Sequence, residues 1–229
     1  MEGSAVMQRI VVAIDGPSGS GKSSVSKEAA RRLNAVYLDT GAMYRAVTWH
    51  ALDAGTDLSD AAAVAAAVKA ADLFISLDPD VEKITIHGTD VTETIREPFV
   101  SEAVSAVATN LEARAELVAR QRAIIEANER IIAEGRDITT VVAPDADARI
   151  LLTASEEARL RRRGIQLGGT QSEAELEAQV LARDAKDSTV VNFTVAADGV
   201  ATVDSSDLDF EQTVLAVLEA ITAQASTNA

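Results

Sequence analysis

Apolar positions change their period several times along this chain. Arg9 to Ile14 is a short unbroken run rich in β-branched residues; DGPSGSGK interrupts it, and after Ser23 the apolar positions Val25, Ala29 and Leu33 fall on every fourth residue, one face of a helix. This reads as strand, loop, helix. The pattern then predicts a second strand at Ala35 to Leu38, a helix from about Gly41 to Leu52 carrying Met43, Val47 and Trp49, and a helix at Asp60 to Ala70. LFISLD and KITIHG, around Pro79 and with Gly88 at the next turn, read as small antiparallel strands. Beyond Pro98, the residues Val100, Val104, Val107 and Leu111 form a helical stripe, and another helix is predicted from Ala113 to Glu129. Core strands follow at Ile131 to Gly135 and Ala148 to Thr153. A helix begins near Ser155, where Glu156 and Glu157 suit the positive end of a first turn. RLRRRGIQLGGTQ is basic and then glycine-rich. It leads to a predicted helix from Glu173 to about Lys186, a strand near Val200 to Val203 and a last helix from Leu208 to Ile221.

Strands alternating with helices predict an α/β fold with a mostly parallel five-stranded sheet covered on both faces. Ligands in such sheets bind beyond the carboxyl ends of the strands. A length of 229 residues suffices for one core with a small insertion. No stretch of 18 apolar residues occurs, and MEGSAVMQRI lacks the basic start and apolar run of a signal peptide, so a cytoplasmic protein without a membrane span is expected. The absence of cysteine excludes disulfides and thiolate metal sites, and two histidines, His50 and His87, are too few for a multi-histidine site. A net charge of -15 argues against a broad nucleic-acid face. The arginines that are present cluster, which favours a compact anionic ligand instead.

Gly16-Pro17-Ser18-Gly19-Ser20-Gly21-Lys22-Ser23 has the G-x-x-x-x-G-K-S pattern in the required setting, after a strand and before a helix. The glycines let successive N–H groups face phosphate oxygens, and the helix presents its positive end to the same charge. Lys22 suits the β- and γ-phosphates, and the Ser23 hydroxyl suits Mg²⁺. The motif fixes a triphosphate and leaves the reaction open. No Asn-Lys-x-Asp occurs and there is no room for motor modules, so a small-molecule kinase leads.

Asp39-Thr40-Gly41-Ala42-Met43-Tyr44-Arg45 follows the second strand, where Thr40, the first helical N–H groups and Arg45 suit a second phosphate. Glu134-Gly135-Arg136-Asp137 follows the third. Arg136 and Asp137 are either a structural ion pair or a two-part reader, the arginine for phosphate and the aspartate for an amino-bearing base. Arg114 and Gln121 share a helix face that points the same way. Arg159, Arg161, Arg162 and Arg163, with Arg183, Lys186 and Asp187, are either solvated charge or the cations of a lid whose hinge glycines are Gly164, Gly168 and Gly169. The acceptor itself stays open on this basis: CMP, UMP, AMP or a hydroxylated metabolite, or no acceptor at all in an ATP-binding regulatory protein.

IDGPSGSGKS, YLDTGAMYR, the run ending in ARQRAI, AEGRDITTVVAPDA and ARDAKDS occur in the order and spacing of the bacterial cytidylate kinases, P-loop nucleoside-monophosphate kinases that the chain resembles over about residues 8 to 222. The resemblance implies transfer of a phosphoryl group from ATP, with Mg²⁺, to CMP or dCMP by a monomer. It implies ATP contacts from residues 16 to 23, from Ser24 and from Arg162, which resembles an arginine packed near adenine. Thr40, Arg45 and Arg136 would hold the phosphate of CMP. Ser105, Arg114 and Asp137 would meet cytosine, and Tyr44, Arg183 and Asp187 the sugar or the migrating phosphate. Lys22, Arg136 and Arg183 would do the catalytic work. The implied division is a core at 9–59, an acceptor-binding insert at 60–99, core again at 100–160, a lid at 161–187 and the last strand and helix at 188–223. The chain departs from the family pattern at Val190, where an arginine is usual, at Thr139, where glycine is usual, and in VVNFTVAAD, which is about two residues shorter in its approach and lacks a Pro-Leu pair. Lys186 or one of Arg161 to Arg163 is left to compensate for Val190.

Overall fold

A computed structural model describes residues 9–166 and 193–227. Five strands, β1 (Ile10–Asp15), β2 (Val36–Asp39), β6 (Arg130–Gly135), β7 (Ala148–Thr153) and β8 (Ala201–Asp204), form one parallel sheet in the order β2-β6-β1-β7-β8. The central strand shows why the sequence reads as an apolar run. Val11 and Ala13 face one apolar cluster, Val12 and Ile14 the other, so both alternate sets are buried. β6 repeats this, with Ile131 and Ala133 on one side and Ile132 on the other. Each such fully buried branched side chain contributes roughly 1.5–3 kcal/mol.

Helices α1 (Lys22–Leu33) and α7 (Phe210–Thr227) cover one face through Val25, Ala29, Val214, Val217 and Ile221. The other face takes α2 (Thr40–Asp53), α3 (Ala61–Ala70), α4 (Pro98–Ala108) and α5 (Leu111–Glu126). A second sheet, β3 (Leu73–Ile75), β4 (Ile84–Ile86) and β5 (Thr89–Asp90), is antiparallel and packs its Ile84 and Ile86 into that same cluster. His87 and Gly88 join β4 to β5 with φ of 48° and 79°, the two positive angles of a tight hairpin turn. α6 (Glu156–Gln166) follows β7, and Ser155 Oγ accepts from the Ala158 N–H at its start.

The stripe predicted from Val100 to Leu111 is not one helix. α4 ends at Ala108; Asn110 then caps α5, its side-chain oxygen accepting from the N–H groups of Glu112 and Ala113, and Leu111 is 75 % exposed. Three apolar positions at helical spacing were core; the fourth coincided by chance across a cap. β5 and a π-turn at Ile138–Val142 were not anticipated. The predicted helix from Glu173 to Lys186 lies outside the described residues.

Candidate active site

The parallel arrangement brings three loops to one edge of the sheet. β1 pairs with β6 so that Asp15 stands opposite Gly135, and β2 pairs with β6 so that Asp39 stands opposite Glu134. The phosphate loop, the start of α2 and the turn after β6 therefore leave side by side.

The loop after β1 crosses β7 closely: a Cβ at Gly16 would lie 2.2 Å from the Leu152 carbonyl oxygen, so no other residue fits. Gly21, at φ 89°, turns the chain into α1. Ser18, Gly19, Ser20, Gly21, Lys22, Ser23 and Ser24 line a cavity of about 570 Å³; Gly16 and Pro17 shape the loop from outside it. Lys22 Nζ is 3.4 Å from the Pro17 carbonyl oxygen. Two arginines of α6 hold the loop from behind. Arg159, 9 % exposed, donates to the Ser18 carbonyl at 3.0 Å, and Arg162 donates to the Ser20 carbonyl at 3.1 Å and to Ser205 Oγ at 2.9 Å. Arg159 is thus a buried anchor of the loop and not a solvated or lid-borne cation, because loop carbonyls that turn away from a phosphate still need donors. Arg161 and Arg162 line the cavity with Leu208, Phe210 and Thr213. Arg163's side chain, Arg183, Lys186, Asp187 and Val190 lie outside the described residues.

On the acceptor side, Asp39 caps α2, its Oδ1 accepting from the Ala42 N–H at 2.7 Å, while Oδ2 lies 3.5 Å from Arg45 Nη2. Arg45 is largely buried, and its Nε hydrogen-bonds to no described residue. Thr40, buried, donates its hydroxyl to the Glu134 carbonyl at 2.8 Å. Thr40, Tyr44, Arg45, Arg136 and Asp137 all line the same cavity as the phosphate loop. Ser105 and Arg114 do not. Arg114 reaches it only through Asp137, pairing at 2.5 Å with Oδ2, and it also donates to the Ala108 carbonyl. Asp137 is an ion-pair partner of Arg114, and it also lines the cavity.

The turn carrying Arg136 and Asp137 is pinned by Asp15. Its carboxylate accepts from the Ile138 N–H, the Thr139 N–H and the Thr139 hydroxyl at 2.9, 2.8 and 2.6 Å. The Thr139 hydroxyl supplies the third of these bonds. Burial pushes the Asp15 carboxyl above its ordinary range despite those donors, and Asp137 adds to the rise.

Two cavity residues escaped sequence reasoning. Glu134 is fully buried between Ser23 Oγ, which donates to its Oε1 at 2.6 Å, and the Tyr37 hydroxyl at 3.0 Å. Burial and then Asp39 raise its pKa, while Lys22 and the two hydroxyls oppose the rise. In the sequence it stands only as the flank of an Arg-Asp pair. Arg96 enters from the 3₁₀ turn Thr94–Arg96, contacts Glu82 and lines the cavity among Asp39, Arg45 and Arg136. Its charge is disfavoured by burial and then by Arg45. A single arginine in an acidic stretch carries no spacing signal that would reveal this.

The residues present fit Mg²⁺. The Ser23 hydroxyl donates a hydrogen bond to Glu134 and so keeps its oxygen lone pairs available, and Glu134 interacts electrostatically with both Lys22 and Asp39. Among the described residues no three His, Cys, Asp or Glu side chains group to hold a metal, so such an ion would take most of its shell from phosphate and water. No helix among the described residues is long and apolar enough to cross a membrane.

The chain is 50 % identical over 223 residues to a cytidylate kinase of Nocardia farcinica, covering 95 % of this chain and 96 % of that one. It is 49 % identical over 210 residues to a cytidylate kinase of Rhodococcus jostii, covering 90 % and 92 %. A solved gluconokinase from Sinorhizobium meliloti 1021, 14 % identical and covering 96 % of this chain and 95 % of its own, shares the fold with a TM-score of 0.52. The family model described as cytidylate kinase matches residues 12–223, from within β1 into the last helix, and on that extent of agreement the chain belongs to the cytidylate kinase family.

Proposed function

We infer that the protein transfers the γ-phosphoryl group of ATP to CMP or dCMP by direct in-line displacement. The observation that carries this is the single cavity lined by the phosphate loop on one side and by Thr40, Arg45, Arg96 and Arg136 on the other. Two anions placed on those two cationic surfaces meet end to end.

The second pKa of a phosphate monoester is near 6, so at neutral pH the acceptor is already mostly a dianion and no side chain need take a proton from it. The work left to the chain is positioning and charge neutralisation. Lys22 holds the donor phosphates, and Arg45, Arg96 and Arg136 hold the acceptor phosphate. Asp137, fixed by Arg114, accepts from the cytosine N4 amino group and opposes the carbonyl that uracil presents there. Tyr44 completes the acceptor site, and Arg162 flanks the adenine; Ser105, assigned to cytosine by the family resemblance, stands off the cavity wall. Ser23 would hold Mg²⁺, whose chemistry is to neutralise charge between the phosphates. Arg183 and Asp187 are assigned to the migrating phosphate and the sugar, in a lid at 161–187 over an acceptor-binding insert at 60–99. The protein acts as a cytoplasmic monomer, which size-exclusion chromatography and cell fractionation test.

The deciding experiment is ADP release with ATP and each of CMP, dCMP, UMP and AMP. CMP and dCMP should lead. A higher efficiency with UMP or AMP, or tight ATP binding with no ADP formed with any acceptor, overturns the reading.

A further inference from the structure

Arg136 leaves the end of β6, lines the cavity, and lies over the ring of Phe193 with Cζ 4.6 Å from the ring centroid. Phe193 is 1 % exposed, so its ring is buried with one face toward the guanidinium. A leucine fills apolar space equally well; the negative face of an aromatic ring is what attracts a cation.

We propose that Phe193 is a positioning residue for the reaction, a platform that orders the Arg136 guanidinium before the acceptor phosphate arrives. The choice of an aromatic support has a chemical logic. A carboxylate that orders a guanidinium, as Asp137 does for Arg114, binds the same N–H edge that a phosphate needs and cancels its charge. A ring occupies the face, where the guanidinium has no donors, and leaves the charge intact. Ordering the side chain in advance lowers what binding must otherwise spend on it. A partly desolvated stack of this kind corresponds to a factor of about 5 to 30 in how firmly the cation is held. The inference rests on Arg136 being a ligand of the acceptor phosphate.

The test is steady-state kinetics on the full chain, with KM for CMP and for ATP measured separately, for the parent, Phe193→Leu, Phe193→Tyr, Arg136→Ala and the double variant Phe193→Leu/Arg136→Ala. Phe193→Met, which fills the same space flexibly, replaces the leucine variant if that one does not fold. Phe193→Leu should raise KM for CMP about 5- to 30-fold while KM for ATP stays within about twofold. Phe193→Tyr, which keeps the ring, should behave like the parent. In the Arg136→Ala background the leucine substitution should add nothing, since the cation it serves is gone. The proposal is overturned if Phe193→Leu matches the parent toward CMP while Arg136→Ala is impaired, or if the leucine substitution costs as much with Arg136 removed as with it present. If Arg136→Ala itself matches the parent toward CMP, the assignment of Arg136 to the acceptor phosphate fails and takes this inference with it.

Discussion

The Ser23 hydroxyl donates to Glu134 Oε1 at 2.6 Å, joining the first turn of α1 to the end of β6. A serine bound in this way cannot spend its proton elsewhere, so what it offers the cavity is acceptor capacity. Ser23→Ala removes that offer and leaves the buried Glu134 with one hydroxyl donor fewer. The expected outcome is a rise of about 10- to 100-fold in the Mg²⁺ concentration for half-maximal activity. A Mg²⁺ titration at fixed ATP and CMP checks it; an unshifted midpoint removes Ser23 from the metal.

Lys22→Ala deletes the only lysine lining the described cavity beside the phosphate loop. Turnover should fall by about 100- to 1000-fold, as for other single donors aimed at developing charge. Lys22 Nζ lies on the cavity wall, 3.4 Å from the Pro17 carbonyl oxygen, and the melting temperature should move by only a few degrees, about the effect of 1 kcal/mol. Parent-like catalytic efficiency would end its assigned role.

Arg96 is the cation that links the small sheet to the acceptor site. Arg96→Ala should raise KM for CMP about tenfold, the cost of one charge-assisted phosphate contact, with KM for ATP unchanged. Glu82→Ala, which releases Arg96 and also loses the 3.4 Å contact to Lys27, should have a smaller effect in the same direction. Equal CMP kinetics in Arg96→Ala and parent would make the residue structural.

In the proposed base recognition the Asp137 carboxylate accepts from cytosine and opposes uracil, so Asp137→Ala should lower the ratio of CMP to UMP efficiency. It should also strip a partner from a nearly buried guanidinium, at about 3 kcal/mol of stability. The two effects separate in Arg114→Met/Asp137→Ala, where stability should recover and discrimination should not. An unchanged CMP to UMP ratio in Asp137→Ala excludes it from base recognition.

Asp15 gives a pH dependence with a definite sign. Its folded pKa lies above the ordinary 3.8, so the folded state holds the proton more tightly than the unfolded one, and this group's contribution falls as pH rises from about 4 through the raised value. Asp15→Asn lacks that titration. The stability gap between parent and variant should therefore narrow as pH rises over that window, measured by urea unfolding at successive pH values. A gap that widens contradicts the shift.

The sheet was readable because β1 and β6 are buried on both faces and so appear as unbroken β-branched runs, and the phosphate loop because a glycine-rich turn between strand and helix admits few other uses. The site was readable less evenly. Thr40, Tyr44 and Arg45 lie in the first turns of the helix after β2, Arg136 and Asp137 directly after β6, where parallel topology gathers chain segments, and all five reach the cavity. Arg114 was assigned to the base but is one step removed, since a sequence does not say which of two neighbouring charges satisfies the other. Arg159 was misplaced for a related reason: a run of arginines looks uniformly solvated until the loop carbonyls that two of them serve are located. Glu134, Arg96 and Phe193 depend on contacts between segments distant in sequence, which no local pattern encodes.

The strand order around β6 has a consequence for how such a chain can diversify. β1 and β2 flank one strand, so the donor and acceptor loops depart two strand spacings apart, about 10 Å. Backbone hydrogen bonding sets that ruler, indifferent to the side chains mounted at either end. Base preference can drift through substitutions in the outlying segments while the reach between reacting groups stays constant, and only a change in the sheet itself would recalibrate it.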